Sequence, residues 1–186
     1  MRKNGDRFGD LNDDISVFDG IYLTKGNKII KFSKDGKPEW AVSLKSKEKI
    51  KRKVEIPEEK RKLAEKEGKK IPEFEKVPKY SIELYAVYAG ENVYVAGFAD
   101  EYSHELPLWK SEVHPFFAKL SRDGEVLWAE IINATYPADH YVGKGKIIKD
   151  GKRFIAWVSN YVLFVFDENG NLIDFYLLKG YISDLD

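Results

Sequence analysis

Three times along the chain an apolar run breaks at a polar residue followed by glycine and then resumes. The breaks are Asp35-Gly36, Asp123-Gly124 and Asn169-Gly170, pairs that reverse a strand into a hairpin because both residues tolerate positive φ. Before them stand Ile29-Ile30-Lys31-Phe32, Phe116-Phe117-Ala118-Lys119-Leu120 and Val162-Leu163-Phe164-Val165-Phe166. Further apolar runs follow, with Trp40 and Trp128 each four residues after the turn glycine and Asp174 in the corresponding third place. The middle unit predicts four strands, near 81–89, 92–99, 115–120 and 125–132. The last predicts 140–149, 153–159, 161–166 and 172–178. The first shows three, at 20–24, 28–33 and 38–44, with 15–18 as an outlying fourth, and Tyr181-Ile182 begins or completes another. Tyrosine, phenylalanine, isoleucine and valine dominate these segments, as a pleated sheet requires. Both alternate sets of 161–166 are apolar, which predicts a strand covered on both faces.

The second and third turns lie 46 residues apart, the first and second 88. Residues 45–78 account for the difference: 13 lysines and arginines, 8 glutamates and few apolar side chains make them an excursion rather than a fourth buried repeat. A long polar loop at 100–113 absorbs the remaining excess. Within the excursion, Pro57, the following Glu58-Glu59 and the closing Gly68 predict a helix of about eleven residues. Only Leu63 and Ala64 give it apolar contact, so it belongs on the surface. The predicted organisation is one domain over 1–186, with units at about 15–44, 80–132 and 138–178 and a charged insertion at 45–79.

Repeats of this length with four strands each are the pattern of propeller blades. The middle unit also resembles the beta-propeller repeat family, whose blades are quinoprotein-like and WD40-like. The resemblance rests on Val93-Tyr94-Val95-Ala96-Gly97, Phe117-Ala118-Lys119-Leu120, Asp123-Gly124 and Trp128. It is good over 82–132, fair over 20–44 and weak over 140–178. It implies an all-β fold of three four-stranded antiparallel propeller-like blades. Three blades do not close a ring of ordinary geometry, so the array is expected to be partial or open, with one charged, partly helical insertion.

Composition narrows the chemistry. The chain has 31 basic and 31 acidic side chains, which removes bulk charge as an argument for nucleic-acid binding. Without cysteine there are no disulfides, thiolate metal sites or cysteine nucleophiles. No apolar run reaches the length of a membrane span, and the basic start Met1-Arg2-Lys3 lacks the apolar stretch of a secretory signal, so a cytoplasmic protein without membrane contact is expected. The absence of glutamine and cysteine beside abundant lysine and glutamate points to a thermophilic source.

Candidate chemistry is thin. His104, His114 and His140 are the residues that titrate near neutrality. His104 and His114 lie in and just beyond a loop carrying Asp100, Glu101, Glu105 and Glu112, but without metal-ligand spacing. Asp35-Gly36 and Asp123-Gly124 lack the acidic ladder of a calcium loop. Gly143-Lys144-Gly145-Lys146 lacks the helix and hydroxyl of a phosphate loop. Asn133-Ala134-Thr135 has an acceptor pattern for glycosylation, which matters only on secretion, and Ser103-His104 sits in no nucleophile elbow. No catalytic, cofactor-binding or metal-binding residue is assigned, and no cofactor is expected.

The expected function is a structural or protein-interaction module built from propeller-like blades, with no catalysis of its own. One alternative is a small-molecule or sugar-binding enzyme of the quinoprotein-like propeller type, which a central pocket of convergent acids would favour. The other is a nucleic-acid-associated protein using residues 45–79, whose net charge is plus six, as a basic arm; its interleaved glutamates make this partner the less expected. An open array leaves two terminal faces. Burying about 600 Å² there is worth about 15 kcal/mol before association costs. Self-association or a protein partner is therefore expected, as a six-unit ring of two chains or by edge pairing.

Overall fold

In the computed structural model, which describes residues 15–53, 56–101, 112–134, 136–137, 145–159 and 162–177, each of the three turn signals closes a hairpin. The first sheet is β1 (Ile15–Val17), β2 (Ile21–Lys25), β3 (Lys28–Phe32) and β4 (Pro38–Ser43), paired in that order. The insertion holds β5 (Lys49–Lys53), α1 (Glu58–Lys66) and β6 (Phe74–Pro78), with β5 and β6 paired to each other. The second sheet is β7 (Tyr80–Ala89), β8 (Val93–Glu101), β9 (Glu112–Leu120) and β10 (Val126–Ile131), and the two residues of β11 (Tyr136–Pro137) add to the far side of β9. The third is β12 (Lys146–Asp150), β13 (Arg153–Ser159), β14 (Val162–Asp167) and β15 (Leu172–Leu177). All these pairings are antiparallel. The chain is therefore an all-β protein of three four-stranded antiparallel sheets with one helical insertion.

The turns work differently from the dipeptide signal. Gly36, Gly124 and Gly170 take φ of 76°, 87° and 89°, but no described residue other than glycine has positive φ. Asp35, Asp123 and Asn169 therefore do not share the left-handed conformation. Each glycine N–H instead donates back to the residue three earlier, Ser33, Ser121 or Asp167. The same three side chains accept from the backbone N–H of Lys37, Glu125 and Asn171. This is a type I reversal with a left-handed glycine at its end, and the register of the following strand slips by one residue in all three sheets.

Side-chain alternation then sorts each sheet into two faces. Tyr22 and Ile29 of the first sheet are buried against Val87, Val93, Val95 and Phe116 of the second. The opposite face of the second sheet sends Tyr94, Phe98 and Phe117 against Phe154, Phe164 and Phe166 of the third. There the Tyr94 and Phe154 ring centroids are 4.0 Å apart, and Phe154 stacks on Phe166 at 5.5 Å. Burial on both faces explains why β8 reads as a continuous apolar run: Val93 through Ala99 are all buried. The Leu84 N–H donates to the Gly26 carbonyl at 2.8 Å, a backbone tie between the first two sheets.

β14 departs from its expected double coverage. Val162, Phe164 and Phe166 are buried against the second sheet, whereas Leu163 and Val165 on the other face are half-buried. The insertion departs as well. Its helix runs nine residues, not eleven, with Pro57 at the N-cap, and it buries none of them. The flanking β5–β6 pair was not expected from so charged a segment. Tyr181-Ile182 and the 140–144 part of an expected strand lie outside the described residues.

Candidate functional site

Two of the three sheets carry the same cross-strand set on the face turned toward the next sheet. In the first, Tyr22 pairs with Lys31 and Lys31 with Trp40. In the second, Tyr94 pairs with Lys119 and Lys119 with Trp128. The geometry repeats. Each lysine Nζ lies 5.5 Å from its tyrosine ring, and each tryptophan meets that ring edge-on, at 6.0 Å and 6.5 Å between centroids. Such contacts between a cation, a π face and a ring edge each contribute about 0.5–1.5 kcal/mol.

Each set reaches over to the turn of the following sheet. A methyl group added to Gly124 would come within 3.0 Å of the Trp40 indole, and one added to Gly170 within 3.0 Å of Trp128. Trp40 Nε1 donates to the Arg122 carbonyl at 3.0 Å, and Lys119 Nζ donates to the Glu168 carbonyl at 3.3 Å. The turn glycine thus serves twice: it adopts a positive φ and presents a surface flat enough to seat an indole.

The first joint has an ionic component. Asp19 accepts hydrogen bonds from Tyr22 Oη at 2.6 Å, Lys31 Nζ at 3.2 Å and Arg122 Nη2 at 2.6 Å. Lys31 also pairs with Glu39 at 3.0 Å. Partial desolvation works against the Asp19 carboxylate, but the hydrogen bonds from Tyr22, Arg122 and Lys31 together outweigh it and hold its pKa well below the usual carboxylate range. Burial likewise opposes the Lys31 ammonium, and its bonds to Glu39 and Asp19 still raise its pKa. In the second joint burial, with the Glu168 charge adding to it, pushes the Tyr94 phenol up to about 12.

Among the described residues neither half of this joint is used on the outer faces. No described atom beyond the glycine and its chain neighbours lies within 4 Å of where a Cβ on Gly36 would be. In the third sheet the set becomes Ile155, Val165 and Asp174 in register. The exposed Asp174 carboxylate accepts from the Tyr176 hydroxyl, which lowers its pKa. The faces beyond are apolar. On the first sheet they carry Ile15 and Val17, 56% and 70% exposed, with half-buried Ile21, Leu23, Ile30 and Phe32. On the third they carry half-buried Ile148, Ile155, Leu163 and Val165.

Most of the candidate histidine cluster lies outside the described residues. His104, His140, Ser103 and Glu105 lie outside them, as do Gly143 and Lys144, and Glu112 is described in its backbone alone. His114 sits half-buried on β9, edge-on to Tyr80 at 5.4 Å. Among the described residues no group of three acidic or histidine side chains could hold a metal ion. Open surface depressions among the described residues include one lined by Arg61, Glu65, Lys69 and Glu73 of the insertion and one lined by Asn27, Leu44, Tyr80 and Glu83 where the insertion leaves the sheets. No described helix is long and apolar enough to cross a membrane.

The sequence reading missed the docking turns. Its only visible signals were a lysine five residues before the turn glycine and a tryptophan four after it, both present in the first two repeats.

No family model matches the chain, and no curated protein matches it. Among solved structures it is similar to the crystal structure of a protein of unknown function from Bacteroides caccae, with 12% sequence identity and a TM-score of 0.48. The match covers 90% of this chain and 46% of that one, so the chain spans less than half the length of that protein.

Proposed function

We propose that the chain is a propeller-like blade array acting as a structural or protein-interaction module, and that it associates through the outer faces of its first and third sheets. The observation carrying this reading is the pair of apolar outer faces. Ile21, Leu23, Ile30 and Phe32 are half-buried, while Val93, Val95, Ala118 and Leu120, at the corresponding positions of the second sheet, are buried by a neighbour. Apolar sheet faces of this kind are association sites. The blade-like reading is supported by the repeated four-strand order and by the recurring tryptophan-on-turn joint between consecutive sheets.

The test pairs light scattering of the purified chain with affinity isolation from an extract of its source, comparing the natural chain with Leu23→Lys and Leu163→Lys. The module reading expects self-association, or a retained protein, that is present with the natural chain and weakened by one or both substitutions. A chain that stays monomeric and retains nothing sensitive to either substitution overturns it.

A further inference from the structure

The two joints inside the chain are built alike, and the two unused faces are the two halves of such a joint. Asp174 stands where Trp40 and Trp128 stand, four residues after the turn glycine and on the face turned away from the preceding sheet. Asp150 and Asp167 share that end of the same face with Arg153 between them, so with Asp174 its acids outnumber its one base. The corresponding receiving turn is Lys34-Asp35-Gly36-Lys37 on the first sheet, where a Cβ added to the glycine would meet no described atom within 4 Å apart from its chain neighbours. That turn is rich in lysine. Inside the chain the seated residue is an indole and the turn offers its backbone. At the ends the seated residue is a carboxylate and the turn offers ammonium groups.

We propose that the partner of these faces is a second copy of the chain: the outer face of the third sheet of one copy seats on the outer face of the first sheet of the other, and the reciprocal contact closes a twofold ring of six sheets. This rests on the reading of the outer faces as association surfaces. One chain supplies both halves with opposite charge, and two identical head-to-tail contacts leave no face over. At the far end of the faces Lys25 and Lys28 of the first sheet and Lys146 of the third have one sign. The register of docking is therefore set from the turn end, where Asp174 meets Lys34 and Lys37.

Sedimentation equilibrium across the micromolar range should give a dimer that weakens as salt rises. Asp174→Lys should loosen it by about tenfold or more, and so should Lys34→Glu with Lys37→Glu. The triple variant, with the charges exchanged, should recover most of the loss. Circular dichroism of each variant checks that these exposed positions leave the sheets intact. A monomer at every concentration, or a dimer indifferent to both reversals, overturns head-to-tail closure. The module reading is judged separately, by whether Leu23→Lys and Leu163→Lys abolish binding of any retained protein.

Discussion

Gly36 and Gly124 occupy the same turn position with φ of 76° and 87°, but only Gly124 has an indole against it. Substituting each by alanine therefore separates backbone strain from the joint. Gly36→Ala should cost about 1–2 kcal/mol, the left-handed penalty alone. Gly124→Ala should cost about 1–3 kcal/mol more, because its methyl group must displace Trp40. Urea unfolding of the two variants measures the difference, and equal losses would mean that the indole contact contributes nothing. Asp19 gives a pH dependence of definite sign. Its folded pKa lies below the unfolded value, so its contribution is present above about pH 4 and is lost as pH falls through the folded value. Asp19→Asn should lower stability at pH 7 and flatten the acid limb of the stability curve. A variant whose stability stays parallel to the natural chain down to pH 2 would show that the cluster carries no net stabilisation.

Among the elements, those with two apolar faces or a clear alternation were legible in advance, because burial is written into their side chains. The four strands of the second sheet fall within a few residues of their expected positions. β1, expected as an outlying strand at 15–18, is three residues long and takes its place by pairing Ile15 with Leu23 and Val17 with Ile21. β5 has only Ile50 as an apolar side chain, and its ladder is closed by β6 across the whole helical segment. Backbone pairing of that span leaves no local pattern. The helix buries nothing, so it is dispensable for the sheets. Lys53 pairs with Phe74, and replacing residues 54–73 by Asn-Gly should close β5 and β6 as a tight hairpin. Thermal unfolding should shift by no more than a few degrees. A chain that loses its sheet signal on this excision would mean that the helix is part of the core.

For the molecule as a whole, the second sheet has neighbours on both faces and the outer sheets on one. At concentrations too low for two copies to associate, amide exchange should accordingly be slowest in β8 and β9 and faster in β3 and β14, with β5, β6 and α1 fastest of all. Uniform protection across the three sheets would indicate that the outer faces are covered in solution. The pattern that decides these faces was only half legible. Asp174 was visible in the sequence as the residue standing in for a tryptophan, but the turn that each tryptophan seats on lies in the next repeat, and only the assembled sheets bring the two together.

The tryptophan joint also has a direction, and direction makes the repeats unequal as building units. The middle repeat bears both a glycine that receives and a tryptophan that is seated. A tandem duplicate of it, spliced in after itself, would extend the array by one sheet and one further joint. The third repeat can receive but has no indole to seat, since Asp174 stands in that place. Duplicating it would leave the new boundary without its indole. Growth of this architecture by gene duplication is thus open at the middle repeat and closed at the third, and one codon, that of residue 174, makes the difference.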